Sequence, residues 1–384
     1  MKNRTQSVII LDLRNVVANG SEQVISRHRQ YADLLASRSR LKLHIHSKSQ
    51  RIIEDLGHMS HSTSGSSIMG FINYLKSLKE YLKSNNLEPV LLIAGDPWES
   101  LLAARLFRLI YNRQIPIQVQ FHGDVASNGW KYLNIRNYFR YYLTFLSLGN
   151  MQNMYFRTTS RTQFSLLEKT FHIPSSKNSV LPVVLNLSAM ISGDKVDSLR
   201  IRVAFVGRLH KDRGTQKFIE VIEKLDSIHE KLDIVIIGDG PERNWLTTQF
   251  NKLSPRLKFN FMGYLGSSEL QHVWDNVDVL LSLAPFESYG LTIREALICG
   301  TPVLALPSSG VQDLNEAIIN KWVQLISDPI SELELIQQVQ SIKNIRIPNE
   351  YRQSLALECG RGNLELVSRW IEIVEISESS KEGN

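Results

Sequence analysis

Short apolar runs alternate with longer stretches of helical spacing along the whole chain, the pattern that parallel α/β folds produce. In the first half, Val8–Leu13, Leu41–His46, Val90–Ala94 and Ile117–Phe121 predict strands, and Glu22–Ser37 and Trp98–Asn112 predict helices between them. Leu181-Pro182-Val183-Val184 closes this half, and the polar stretch Asn186–Ser198 reads as a linker. The alternation restarts with Arg202–Gly207 and continues through Asp233–Ile237, Lys258–Phe261, Val277–Leu283 and Pro302–Leu306. A final helical pattern, Leu364–Ile376, carries Trp370. With 384 residues the chain exceeds one ordinary core. The expectation is α/β, with one doubly wound Rossmann-like domain over residues 1–190, a second over 191–364, and a closing helix and tail over 365–384.

Composition narrows the class. At 43% hydrophobic and 21% charged, the chain reads as a soluble globular protein. Its two cysteines, Cys299 and Cys359, lie far apart without metal-ligand spacing, so neither a disulfide framework nor a zinc site is expected and a reducing cytosol fits. The apolar run near the N-terminus contains Asp12 and predicts a strand, not a signal peptide. No uninterrupted apolar segment approaches the ~20 residues of a spanning helix. Charge is uneven: residues 1–190 hold 23 Lys and Arg against 11 Asp and Glu, and the remainder holds 21 against 27. A basic first half suits an acidic acceptor or an anionic membrane surface. No nucleic-acid motif accompanies it, and no nucleic-acid partner is expected.

The most informative segment runs from Phe286 to Ala296 (Phe-Glu-Ser-Tyr-Gly-Leu-Thr-Ile-Arg-Glu-Ala). Glu287 and Glu295 stand eight positions apart across a loop-to-helix junction. Inside one helix that spacing would part them by roughly 12 Å along the axis. With Glu287 on the loop and Glu295 in a helix beginning near Gly290, both can face the carboxyl edge of a parallel sheet, where open α/β sheets bind ligands. The amides near Gly290 and Leu291, with the positive helix end, suit an anionic group such as a diphosphate. Carboxylates flanking a phosphate cradle suggest a ligand with both hydroxyls and phosphates.

This segment resembles the Glu-x7-Glu signature of retaining glycosyltransferases of family 4 (group 1), and the similarity extends over residues 201–330 and more loosely over the first half. The resemblance implies the GT-B architecture, two Rossmann-like domains facing a cleft with the last helix crossing back onto the first. It implies that Glu287 contacts the transferred sugar and Glu295 the ribose, with Ser288, Tyr289, Gly290 and Leu291 lining the donor site. Gly207-Arg208-Leu209-His210-Lys211-Asp212-Arg213-Gly214 follows a strand and places Arg208 and Arg213 for a diphosphate, since the guanidinium fork binds phosphate oxygens in pairs. The family has Lys before Gly where this chain has Arg213-Gly214, and Lys211 is a rival for the role. Tyr264 matches the segment that holds the base. Gly20 sits in a loop that resembles the glycine loop near the donor phosphate, although many relatives have two glycines there. Ser309 and Asp313 replace a Gly and a Glu of relatives, and no role is transferred to them.

Other residues are open to two readings. His122, in Gln120-Phe121-His122-Gly123-Asp124, matches a histidine near the sugar and acceptor; it is expected to donate a hydrogen bond to a sugar hydroxyl, with Asp124 orienting it or touching the acceptor. Asp96 and Glu99, in Gly95-Asp96-Pro97-Trp98-Glu99-Ser100, either cap a helix or contact the acceptor. Gly238-Asp239-Gly240-Pro241-Glu242 is read as a structural turn. The stretch Lys131–Tyr142, which includes Arg136 and Arg140 with Arg105, Arg108 and Arg113 nearby, is either a membrane-surface patch or a core helix with a basic edge.

The reading is a retaining hexosyltransferase acting from a nucleoside-diphosphate sugar onto a glycan or lipid-linked acceptor. It is expected to need no metal and no cofactor, and to be cytoplasmic or peripheral on the inner membrane face. The alternatives are a non-hydrolysing nucleotide-sugar epimerase and a non-catalytic carbohydrate-binding protein of the same fold.

Overall fold

The computed structural model describes residues 4–53, 56–65, 70–185, 200–227, 232–253, 257–314, 318–319, 321–342 and 345–382. The expected linker, 186–198, lies outside the described residues. The chain divides into two compact units, Met1–Pro182 with Arg361–Asn384, and Val183–Gly360.

The first unit contains β1 (Thr5–Asp12), β2 (Lys42–Ser47), β3 (Met59–Thr63), β4 (Leu87–Ala94), β5 (Ile117–Gln120), β6 (Met154–Thr158) and β7 (Asn178–Val180). Its connecting helices are α1 (Glu22–Arg38), α2 (Gly70–Ser84), α3 (Glu99–Ile110), α4 (Ile135–Leu148) and α5 (Arg161–Phe171). All seven strands are parallel, in the order β3-β2-β1-β4-β5-β6-β7. A strand covered on both faces reads as one apolar run. In β1, Val8 and Ile10 enter one core while Ile9 and Leu11 enter the other.

The strands the sequence did not announce are polar or short. β3, Met-Ser-His-Ser-Thr, is tolerated because its neighbours satisfy it. His44 bonds Ser60 at 2.8 Å and Ser62 at 2.9 Å, and His46 bonds Ser62 at 2.7 Å. His61 reaches Ser47 at 3.0 Å, and Ser47 donates to Asp12 at 2.8 Å. Likewise β6 carries the buried Arg157, which breaks the apolar pattern. The last strand, β7, ends just before Leu181-Pro182-Val183-Val184, where Pro182 has no N–H to give a ladder.

The second unit contains β8 (Ile201–Val206), β9 (Leu232–Ile237), β10 (Lys258–Gly263), β11 (Val279–Ser282), β12 (Val303–Ala305) and β13 (Val323–Leu325). Its helices are α6 (Thr215–Ser227), α7 (Arg243–Phe250), α8 (Ser267–Trp274), α9 (Leu291–Ile298), the short α10 (Ser309–Gln312), α11 (Glu332–Ile342) and α12 (Asn349–Gly360). The parallel order β10-β9-β8-β11-β12-β13 is that of a dinucleotide-binding sheet, with its topological switch between β8 and β11.

The last helix, α13 (Gly362–Glu382), belongs to the first unit. Leu366, Val367, Trp370, Ile373 and Val374 form its apolar stripe and complete the core beside β1, β2 and α1. Trp370 donates Nε1–H to Gln118 Oε1 on β5 at 2.7 Å, so a fully buried indole leaves no polar atom stranded.

In the stretch Lys131–Tyr142, one of the two arginines lies inside the fold and the other, Arg136, is exposed. Arg140 is buried, pairs with Glu99 at 2.9 Å and stacks over Trp98, so it is a cation of the interior and not of a basic edge. Arg105 and Arg108 donate to the carbonyls of Ser147 and Gln152.

Buried imidazoles give this unit an acid limit. Burial lowers His44 to about 3, helped by the charges of His46 and His61, and lowers His28 and His46 to about 4. Between pH 6.5 and these values the unfolded chain binds protons that the folded one refuses, so stability falls as pH falls. Each group contributes about 1.4 kcal/mol per pH unit in that window. The unfolding midpoint should therefore drop steeply from about pH 6.5 toward pH 4. A midpoint flat across that range would show that these histidines titrate as free ones.

Candidate active site

Three loops leave the carboxyl edge of the second sheet after β8, β9 and β10, stitched backbone to backbone. Gly207 N–H donates to Ile237 O at 2.9 Å, Leu209 to Asp239 O at 3.0 Å, Gly238 to Gly263 O at 2.7 Å and Glu242 to Leu209 O at 3.0 Å. The segment Gly238–Glu242 thus acts as the structural turn expected of it.

The loop after β8 is drawn onto the end of β11 by Gly214. With φ at 77°, Gly214 lies so close to the strand that a Cβ would sit 2.0 Å from Leu283 O, a contact only glycine avoids. Arg213 is thereby set against Glu287, its NH1 at 2.5 Å from Oε2. Glu287 accepts the Gly290 N–H on its other oxygen at 3.2 Å, and its carbonyl accepts from Gly310 at 2.7 Å. Gly290, at φ 73°, begins α9, whose first amides have no intrahelical carbonyl to bond. A fixed cation, a fixed anion and an electropositive helix end thus meet at one edge.

The neighbouring candidates divide. Arg208 is exposed and leans on Asp212 at 3.3 Å, so of the loop's three cations Arg213 is the one paired with Glu287. Lys211, the rival, is exposed. Ser288 is buried. Tyr289 corrects an expectation: its side chain points inward, its hydroxyl 3.6 Å from Cys359 Sγ, and burial pushes that phenol well up. Only its backbone remains for a ligand. Tyr264 stands exposed after β10.

Glu295 lies half-buried in α9, and no hydrogen bond or ion pair engages its carboxylate among the described residues. Burial raises it to about 7. An unpartnered carboxylate in a dry setting is suited to a ligand that supplies donors, such as a pair of hydroxyls.

Arg294 was missed. It is buried, donates to the carbonyls of Tyr289 and Gly310, lies over the Tyr289 ring at 3.8 Å and approaches Asp313 at 3.8 Å. Those contacts clamp the Glu287–Gly290 loop to α10. The available signal was a cation on the apolar face of α9, between Ile293 and Ala296. Asp313, left without a role, is its counter-charge.

In the first unit, Asp12 at the end of β1 is a second missed residue. Its buried carboxylate accepts from Val16 at 2.6 Å, Val17 at 3.0 Å and Ala18 at 3.2 Å, shaping the loop that carries Gly20. Asp96 is corrected toward its capping reading: it accepts from Trp98 N–H, Ser100 N–H and Ser100 Oγ, which engages the carboxylate at the start of α3. His122 is placed otherwise than expected. Gln120 Oε1 accepts from Arg157, so it also accepts from His122 Nε2 at 2.9 Å, and that nitrogen carries the proton. Burial by the surrounding protein and the charges of Arg157, Arg27 and Arg14 push the imidazole pKa down. Asp124 is buried beside it in a turn that Gln163 holds by Nε2–H to Gly123 O at 3.1 Å.

Fold and site define a class. Residues 195–355, most of the second unit, match the family described as Glycosyl transferases group 1. The particular resemblances agree. Glycogen synthase of Mycobacterium tuberculosis is 28% identical over 138 residues, 36% of this chain and 33% of that protein. The 2-deoxystreptamine glucosyltransferase of Streptomyces kanamyceticus is 27% identical over 140 residues, 36% of this chain and 35% of that one. The chain thus spans about a third of the length of these curated relatives. A solved glycosyltransferase from Rickettsia africae superposes with a TM-score of 0.69 over 97% of this chain and 98% of its own, at 16% identity. An Anabaena protein solved with UDP and glucose gives 0.62 over 98% of each chain at 15% identity. The whole chain therefore has the GT-B fold.

The two arginines should separate cleanly. Arg294→Met leaves two carbonyls and Asp313 stranded and should cost about 3 kcal/mol of stability, as breaking a buried pair does. Arg213→Met removes a half-exposed pair and should cost about 1 kcal/mol or less. Equal losses in chemical denaturation would deny Arg294 its role as the clamp.

Proposed function

We propose that the chain is a retaining, metal-independent hexosyltransferase. It moves a sugar from a nucleoside-diphosphate donor to a hydroxyl of a glycan or lipid-linked saccharide, in polysaccharide or glycoconjugate synthesis at the cytoplasmic face of a membrane. The observation that carries this reading is the meeting of Arg213, Glu287 and the open first turn of α9 at the switch point of the second sheet.

In this reading Glu287 fixes Arg213 and faces the sugar. The unbonded N–H groups of the guanidinium and the amides of Leu291 onward take the diphosphate, with Arg208 turning in from Asp212. As the bond from sugar C1 to the phosphate oxygen breaks, negative charge gathers on the leaving diphosphate, and these fixed donors stabilise it without reorganising. The acceptor oxygen bonds to C1 on the face the phosphate leaves, and its proton passes to that phosphate oxygen. Configuration is retained and no enzymic nucleophile is needed. Glu295 accepts the ribose hydroxyls, and Tyr264 stands by the base. In the first unit, Asp124 and His122 serve the acceptor. The relatives differ in donor: one from Corynebacterium glutamicum is GDP-mannose-dependent, and the Anabaena structure holds UDP.

Calorimetric titration with UDP-, GDP- and ADP-sugars, followed by NMR of the product anomer, tests the reading. Binding of one donor, with transfer that retains configuration and withstands a chelator, is expected. An inverted product, or a donor epimerised without acceptor, would sink it.

Glu295→Gln gives a second test with two signs. The folded carboxyl is raised above its usual 4.5, so ionisation as pH rises through about 7 costs stability. Removing that charge should stabilise the free protein by about 1–2 kcal/mol near pH 8, allowing for its opening to solvent. The same change should weaken nucleoside diphosphate binding about tenfold, because an amide accepts ribose hydroxyls less strongly than a carboxylate. Unchanged affinity would remove Glu295 from the ribose.

A further inference from the structure

The arginines of the first unit fall into two groups. Several are tied: Arg29 pairs with Glu22 at 2.7 Å, Arg140 with Glu99 at 2.9 Å and Arg369 with Glu372 at 2.7 Å. Arg14 and Arg27 are not. Among the described residues no hydrogen bond or ion pair engages either guanidinium, and the Arg27 Nε is buried without a partner. A buried cationic donor left bare is unfavourable, and an anion that supplies acceptors relieves it.

Their placement points to a ligand. Arg14 follows β1 directly and is exposed, and Arg27 is half-buried on α1 next to the buried His28. Both charges act on His122 at the end of β5, as does that of Arg157 on β6. Arg157 is fixed there: it donates to Gln120 Oε1 at 3.4 Å, the atom that His122 Nε2 bonds at 2.9 Å, and to Pro182 O at 3.2 Å. Three guanidiniums from three elements thus gather about one imidazole at the carboxyl edge of the first sheet, where open parallel sheets bind ligands. His122 is ringed by protein and yet its side chain is exposed, so a small ligand can reach the group.

The acids of the same elements are held elsewhere. Asp12 has its oxygens engaged by the Val16, Val17 and Ala18 amides and by Ser47. Asp96 caps α3, and Glu99 pairs with Arg140. Asp124, buried in the turn after His122, sets one negative charge against the three arginines. Guanidinium forks take oxygens in pairs, which selects a phosphate or a carboxylate. In the functional reading the donor diphosphate has its own cradle in the second unit, and His122 and Asp124 serve the acceptor.

We propose that Arg14 and Arg27, together with Arg157, hold an anionic group, a phosphate or a carboxylate, carried by the acceptor saccharide, so that the chain selects acidic over neutral acceptors. Assignment to the acceptor rests on the functional reading, whereas the anion site itself needs neither donor nor transfer, so the two can fail separately.

Calorimetric titration of the full chain with inorganic phosphate, glucose 6-phosphate, glucuronate and glucose, with and without a saturating mixture of UDP, GDP and ADP, tests the proposal. Phosphate and the two acidic sugars should bind at least about tenfold more tightly than glucose, since charge-assisted bonds to arginine are the strong ones. Arg27→Met should weaken the acidic ligands about tenfold, Arg27→Lys should restore part of the loss, and Arg14→Gln should act in the same direction as Arg27→Met. Because Arg27 has no partner to strand, the thermal midpoint of Arg27→Met should match or exceed the parent; Arg14→Gln is a surface change. Equal binding of glucose and the acidic ligands would overturn the proposal, as would an acidic preference that survives both Arg27→Met and Arg14→Gln. So would a preference that the nucleotides abolish, which would give these arginines to the donor diphosphate.

Discussion

The arrangement of the second unit turns on one close approach. Gly214 rests on the carbonyl of Leu283 at a distance that no side chain permits. Because it does, the turn after β8 and the loop after β11, 74 residues apart in sequence, share an edge and Arg213 meets Glu287. A larger residue there would force the turn off the strand and part the ion pair. That pair is worth little to stability, since both groups are reached by solvent. Its value is positional: it fixes a guanidinium beside a helix N-terminus, where an anion can be held from both sides.

Both units solve the same problem with the same device. A parallel sheet delivers its loops to the carboxyl edge, but loops need anchoring before they can present anything. Asp12 gathers three amides of the loop after β1, and Glu287 gathers Gly290 and Arg213 after β11. Arg294 then braces the second loop from beneath, its charge set against Asp313 and two carbonyls. In each case a buried or half-buried ionic group sets the shape of a loop that has little apolar surface of its own.

The polar interiors follow from the same economy of contacts. β2 and β3 place His44 and His46 with Ser60 and Ser62 against α2, while His61 on the other face bonds Ser47, so the sheet gains register from hydrogen bonds. On helix α4, Arg140 and Thr144 find partners inward, and an apolar stripe is left outside the core.

The sequence by itself determined the periodicity. Runs such as Val8–Leu13 and Arg202–Gly207 read as strands because both faces of a parallel sheet are apolar, and the segment from Phe286 to Ala296 read as a loop entering a helix because Gly290 interrupts the pattern. β3 was illegible because its stabilising partners lie on another strand, and β13 because three residues carry no period. Only the tertiary structure decided which of Arg208, Lys211 and Arg213 meets Glu287, that Asp96 caps α3, that Tyr289 turns inward, and that His122 donates to Gln120. It also decided which side of α4 faces out. Local pattern records how often a residue is apolar and at what spacing, whereas these outcomes depend on partners tens of residues away. Whether a cation sits at a ligand edge or in the interior is set by what the fold brings beside it.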